Sequence, residues 1–189
     1  KAPDVYAVLI AAHVPSEKRT DFEREPLDPG PYEGEENVDV LRPYVIRQLT
    51  RIAQANNIDL GRMEVVLLNR DRESVRVKVF KELERANGLK VTIIEDGTFN
   101  HAVKASLGGK GERLKVFFGT SGAPEAFSNV IIAKMFREDG AIASLRVLSH
   151  AGLKQAKNLS RSTSYNFSES EQKIMKELRP QDFEAILAG

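Results

Sequence analysis

The sequence has no cysteine, which excludes disulfide bridges and thiolate metal sites and fits a reducing compartment, so a cytoplasmic location is expected. It also has no apolar run near the ~20 residues needed to cross a bilayer. Charge of one sign is scarce: 28 Lys and Arg stand against 27 Asp and Glu, a formal net charge of +1. That balance implies no global attraction to nucleic acid or membrane, and neither is expected as a partner. Histidine is limited to His13, His101 and His150, which do not cluster along the chain and are expected in structural or surface roles. The opening "KAPDVYAVLI" has a short apolar stretch and no small-residue cleavage site, so it does not read as a signal peptide. Its first residue is Lys rather than Met, as expected of a fragment or a processed product.

What is present is ordinary globular chemistry, 41% hydrophobic and 29% charged over 189 residues, enough for one domain with a real core. "VYAVLIAAHV" (Val5–Val14) reads as a buried strand. The following Pro15–Val40 carries four prolines and nine acids against three bases, which predicts a peripheral loop. Leu41, Val45, Leu49 and Ile52 then recur at helical spacing, with Asp39 placed to cap the helix.

Strands and helices alternate from there. "MEVVLL" (Met63–Leu68), "KVTII", "LKVFF" and "AIASLRVL" read as strands. Between them lie "ESVRVKVFKELERANG", with Val75, Val79, Leu83 and Ala86 on one stripe, "TFNHAVKASLGG", and "EAFSNVIIAKMF", expected to pack Phe127, Ile131 and Met135 or its neighbours. This rhythm predicts an α/β fold, a layered sandwich whose largely parallel sheet is built from βαβ units with right-handed crossovers. The predicted organisation is an α/β sugar-phosphate-binding domain over residues 1–150, interrupted by the loop 15–40. A polar, Ser-rich loop follows over 151–189, with a helix opened by Ser168 and Glu171 at capping-box spacing.

In parallel sheets, ligands collect outside the carboxyl ends of the strands. Three junctions there carry polar chemistry: "NRDRES" after "VVLL", "EDGTFN" after "VTII", and "GTSGAPEAFSN" after "KVFF". If the strands are parallel, the ends at Leu68, Ile94 and Phe118 share one edge. Arg70 and Arg72 could hold a phosphate, and helix N-termini offer N–H groups to an anion. Glycines allow close backbone approach, and carboxylates suit sugar hydroxyls or a hard divalent cation. Each element also has a plain reading: solvated arginines, an Asp-Gly turn, and in Glu125 a first-turn acid that favours the helix dipole. "GGKGE" from Gly109 lacks the spacing of a P-loop and reads as a connection.

"APDVY", "LLNRDRESV", "IIEDGTFNHAV" and "GTSGAPEAFSN" stand in the order seen in the class II fructose-1,6-bisphosphatases, which this sequence resembles from Ala2 to about Leu148. "GAPE" is the most specific of these pieces. The resemblance implies a layered α/β fold shared with the lithium-sensitive phosphatases. It also implies hydrolysis of the 1-phosphate of fructose-1,6-bisphosphate, and of sedoheptulose-1,7-bisphosphate in bacterial members. It makes Glu125 a ligand of the catalytic Mg²⁺ or Mn²⁺, and the metal the group that polarises the phosphoryl centre. Gly122 and Tyr6 would lie against the substrate, Arg70 and Arg72 would hold a phosphate, and Asp96 and Gly97 would contact the sugar.

Three departures stand out. Thr98 replaces the third residue of an Asp-Gly-Asp pattern, and Ser121 replaces the first glycine of Gly-Gly-Ala-Pro-Glu. Arg70-Asp71-Arg72-Glu73 lacks the proline and histidine of the family's basic loop. The resemblance implies that the remaining metal ligands lie in an N-terminal half, expected to precede Lys1. The chain is therefore expected to be the C-terminal part of the enzyme, completed by an N-terminal half or acting as a homo-oligomer. The alternative is a non-catalytic sugar-phosphate-binding or regulatory domain.

Overall fold

The structure, a computed structural model, describes residues 6–30, 38–69, 74–108 and 111–147. Arg70 and Arg72, His150, and the loop and helix expected over 151–189 lie outside them. The described residues form a five-stranded mixed sheet in the order β3-β2-β4-β1-β5, with β1 Tyr6–His13, β2 Met63–Leu68, β3 Lys90–Ile94, β4 Leu114–Gly122 and β5 Ala141–Val147. β2 pairs in parallel with both β3 and β4, whereas β1 is antiparallel to β4 and to β5. Four strands therefore point one way, and β1 threads between β4 and β5 in the opposite sense. The fold is α/β, as the alternation of elements requires.

Helices cover both faces. α2 (Val38–Ala55) and α3 (Ser74–Asn87) bury Leu41, Val45, Leu49, Ile52, Val79, Phe80 and Leu83 in a core with Val65, Leu67, Val116 and Phe118. On the opposite face, α4 (Thr98–Ser106) and α5 (Ala123–Met135) offer mainly small residues, Ala102, Ala105 and Ala126 with Val130, to Leu9, Val66, Leu68 and Phe117. Interior strand β1 is buried without interruption from Ala7 to Ala12, as expected of a strand covered on both sides.

Four sequence expectations change here. α2 begins at Val38, so Asp39 lies inside its first turn and pairs with Arg42 at 2.9 Å instead of capping the helix. The stripe of α3 runs through Arg76, Val79, Phe80 and Leu83, leaving Ala86 exposed. In α5 the buried residues are Ala126, Asn129, Val130 and Ala133, while Ile131 and Met135 are 52% and 72% exposed. The small side chains let α5 lie close on the sheet, and the large ones turn outward.

Within the proline-rich stretch, α1 (Arg19–Arg24) packs Phe22 into the core beside Leu27. Arg51 lies 4.9 Å from the Phe22 ring centroid and holds the Pro26 carbonyl. The described part of this stretch is thus packed rather than peripheral.

Candidate functional site

Because β2, β3 and β4 are parallel, the junctions after Leu68, after Ile94 and after β4 meet at one edge. The third differs from its expected form. "LKVFF" does not stop at Phe118; β4 continues through Gly119, Thr120 and Ser121 to Gly122. Pairing with β1 holds this extension, with Val8 opposite Thr120, Ala7 opposite Ser121 and Tyr6 opposite Gly122. α5 then starts at once, with Gly122 as its cap residue, proline in its first turn and Glu125 as its first-turn acid. No loop intervenes.

The reversed direction of β1 has a consequence for Tyr6. As the first residue of an antiparallel strand, it lies at the carboxyl edge of its neighbour, beside Gly122. Two residues implied as substrate contacts, 116 positions apart in sequence, are therefore adjacent in the sheet.

The second junction is a tight turn into α4. Gly97 is the cap residue at φ +87°, a conformation that L side chains adopt only with strain, which explains glycine here. Asp96 is exposed, and its Oδ1 accepts from the Gly97 N–H at 2.7 Å. No side chain from the turn itself caps α4. Glu125 supplies the acceptor instead: the Phe99 N–H donates to its Oε1 at 2.8 Å. A helix start leaves its first N–H groups without partners, and a carboxylate near them is favoured by the helix dipole. Glu125 is in the first turn of α5 and also answers the first turn of α4.

The first junction is joined to the second by Asn69. Its N–H donates to the Ile94 carbonyl at 2.7 Å and its Nδ2 to Glu95 Oε1 at 2.7 Å. Beyond residue 73 the chain enters α3, and Arg76 in its first turn is only 1% exposed. Its Nη1 donates to Thr120 Oγ1 at 3.3 Å, and its guanidinium carbon lies 5.1 Å from the Phe118 ring centroid. Thr120 is two residues short of the β4 terminus, about 7 Å along the strand. A buried cation thus stands behind the same edge. The sequence reading missed Arg76, although its signal was visible: an arginine three, four and seven residues before Val79, Phe80 and Leu83, on the stripe that the core demands.

His101, one turn into α4, is held below its usual pKa by burial, with Lys104 and Lys115 adding to the effect and Glu64 opposing it. Among the described residues, no group of three or more His, Asp or Glu side chains is placed to hold a metal ion. Nor, among them, is any helix long and apolar enough to cross a membrane.

The description "Bacterial fructose-1,6-bisphosphatase, glpX-encoded" matches residues 29–185, most of the chain. The chain belongs to that family. The matched span runs beyond Leu148, where the resemblance fades, to residue 185. A search among curated proteins returned no match. Membership supports phosphatase chemistry in general, and the carboxyl edge of this phosphatase chain is where its implied site residues fall: Tyr6, Asp96, Gly97, Gly122 and Glu125.

Proposed function

We propose that this chain binds a sugar bisphosphate at the carboxyl edge of its sheet. There it would take part in metal-dependent hydrolysis of the 1-phosphate of fructose-1,6-bisphosphate, and of sedoheptulose-1,7-bisphosphate. The observation that carries the proposal is the contact of Glu125 with the α4 start at the carboxyl edge, with Arg76 buried against Thr120 of β4 on the α3 face of the same strand. Arg76, buried behind that edge, would add a positive field that favours the phosphate without touching it. The N–H groups at the starts of α4 and α5 would face the same anion, and Asp96 a sugar hydroxyl. Tyr6 and Gly122 would line the floor, with Arg70 and Arg72 adding charge at the first junction.

Glu125 would be one ligand of Mg²⁺ or Mn²⁺. A single carboxylate does not by itself fit such an ion, which needs several oxygens. The other ligands would come from beyond the described residues, in keeping with a C-terminal part completed by an N-terminal half. Absent cysteine and a family of metabolic phosphatases favour action in the cytoplasm and a role in gluconeogenesis.

A second reading is favoured by one observation: Glu125 Oε1 is already engaged by the Phe99 amide. On that reading the chain binds the sugar phosphate without cleaving it. The test measures both binding and phosphate release with fructose-1,6-bisphosphate and Mg²⁺ or Mn²⁺, for this chain and for one joined to an upstream half. Turnover in the joined form, reduced by orders of magnitude in Glu125→Gln, is expected. Binding without turnover in every form would select the second reading, and absence of both would remove the two together.

A further inference from the structure

The turn from Glu95 to Phe99 is gripped from both neighbouring junctions. From the β2 side, Asn69 donates to the Ile94 carbonyl and to Glu95 Oε1, both at 2.7 Å. From the α5 side, Glu125 Oε1 accepts from the Phe99 N–H at 2.8 Å. Within the turn, Asp96 Oδ1 accepts from the Gly97 N–H, and Gly97 holds a left-handed conformation. The side-chain links are exposed and individually weak. They act on a segment of five residues between a strand end and a helix start, so they restrict few degrees of freedom very closely.

The geometry points to Asn69 and Glu125 as positioning residues that clamp this turn, setting the Asp96 carboxylate and the α4 N–H groups before a ligand arrives. The ligand class rests on the proposed sugar-phosphate reading; the clamp itself does not. Ordering a loop costs conformational entropy for each residue fixed, and a turn already ordered spares the ligand that cost. The clamp also gives Glu125 two separable properties. Its oxygen caps α4, a task a neutral amide oxygen can share, whereas its charge is what a cation would require.

That separation supplies the test on the full 189-residue chain. Amide exchange at Phe99 is measured in the parent, Glu125→Gln, Glu125→Ala and Asn69→Ala proteins, alongside binding of fructose-1,6-bisphosphate without added metal. Phe99 exchange is expected to rise about tenfold in Glu125→Ala and less than threefold in Glu125→Gln, with affinity about five- to tenfold weaker in Glu125→Ala. Asn69→Ala should weaken affinity about threefold while leaving the helical content unchanged. Phe99 exchange equal in Glu125→Ala and parent overturns the clamp. So does faster exchange with undiminished affinity, because the turn would then not matter to the ligand. Failure of every protein, parent included, to bind the sugar bisphosphate while exchange behaves as expected overturns the ligand assignment and leaves the capping contact standing.

Discussion

At the amino ends of the strands, Arg113 donates to the carbonyls of Gly61 and Gly88, tying together the residues that lead into β4, β2 and β3. At the carboxyl ends, Arg76 lies buried against Phe118 and Thr120. The amino end closes on itself. Asp59 caps the turn into β2, the His13 ring hydrogen-bonds the Asp139 carbonyl, and the Val14 N–H donates to the Gly140 carbonyl. The carboxyl end leaves Asp96 and Glu95 exposed, each held through one carboxylate oxygen. One sheet thus has an end spent on its own carbonyls and an end with polar atoms oriented but open. The fixed turns stand at the end opposite the three polar junctions.

The largest expected effect breaks the closed end. A Cβ on Gly140, at φ +89°, would stand 1.9 Å from the Val14 carbonyl oxygen. The left-handed backbone adds its own penalty of about 1–2 kcal/mol. Gly140→Ala should therefore destabilise the fold by about 3 kcal/mol or more in chemical denaturation. A loss below about 1 kcal/mol would mean that this turn yields easily and that the amino end is not the rigid one.

Next in size is the open end. Arg76→Met keeps a long side chain over Phe118 and removes the charge. Affinity for fructose-1,6-bisphosphate should fall about 10- to 30-fold, the ~1.5–2 kcal/mol of a buried charge acting on the phosphate from several ångströms away. Arg76→Lys should recover part of the loss. Equal affinities across the series would assign Arg76 to packing alone and dissolve the contrast with Arg113.

The legible parts of the molecule are those decided locally. "MEVVLL" and "KVTII" became β2 and β3 residue for residue, because each is an apolar run with polar neighbours. The direction of β1 was not legible, since nothing in "YAVLIAAH" states which way a partner runs, and so the meeting of Tyr6 with Gly122 was not either. "GTSG" has the composition of a turn, yet pairing with β1 draws it out as strand. In α5 two helical phases compete, and the sequence favours the one with larger side chains. The sheet accepts the smaller set, because close approach of helix to sheet outweighs the burial of Ile131 and Met135. The site followed the same rule. Asp96, Gly97 and Glu125 are legible as turn and helix-start residues, whereas the reach of Glu125 to Phe99 depends on how two helices lie together.

A smaller effect is expected from Arg113→Ala. The mutation leaves the Gly61 and Gly88 carbonyls to water at a partly exposed position, so stability should fall by about 1–2 kcal/mol. Sugar-bisphosphate affinity should stay within about threefold, because the change is confined to the opposite end. A larger affinity loss would show that strand register carries the disturbance across the sheet.

The smallest effect is a pH dependence at the amino end. Glu64, near the start of β2, accepts from Thr92 Oγ1 at 2.7 Å and lies 3.3 Å from Lys90 Nζ. Burial alone would raise its pKa, but the Thr92 and Lys90 hydrogen bonds, with Lys90 and Lys115 as neighbouring charges, more than offset this and hold it below the ordinary 4.5. A carboxylate with a lowered folded-state pKa stabilises the fold fully above its unfolded value and loses that contribution as pH falls through the folded one. The loss should therefore begin near pH 4.5 and deepen below it. Glu64→Gln removes the proton uptake and keeps an acceptor for Thr92, so its stability should fall less steeply with acid than the parent's. The two curves should differ in slope by an amount worth about 1 kcal/mol or less, with no change in ligand affinity at neutral pH. Parallel curves would show that Glu64 titrates alike in folded and unfolded chains, and that the amino end is held by its backbone bonds without help from this charge.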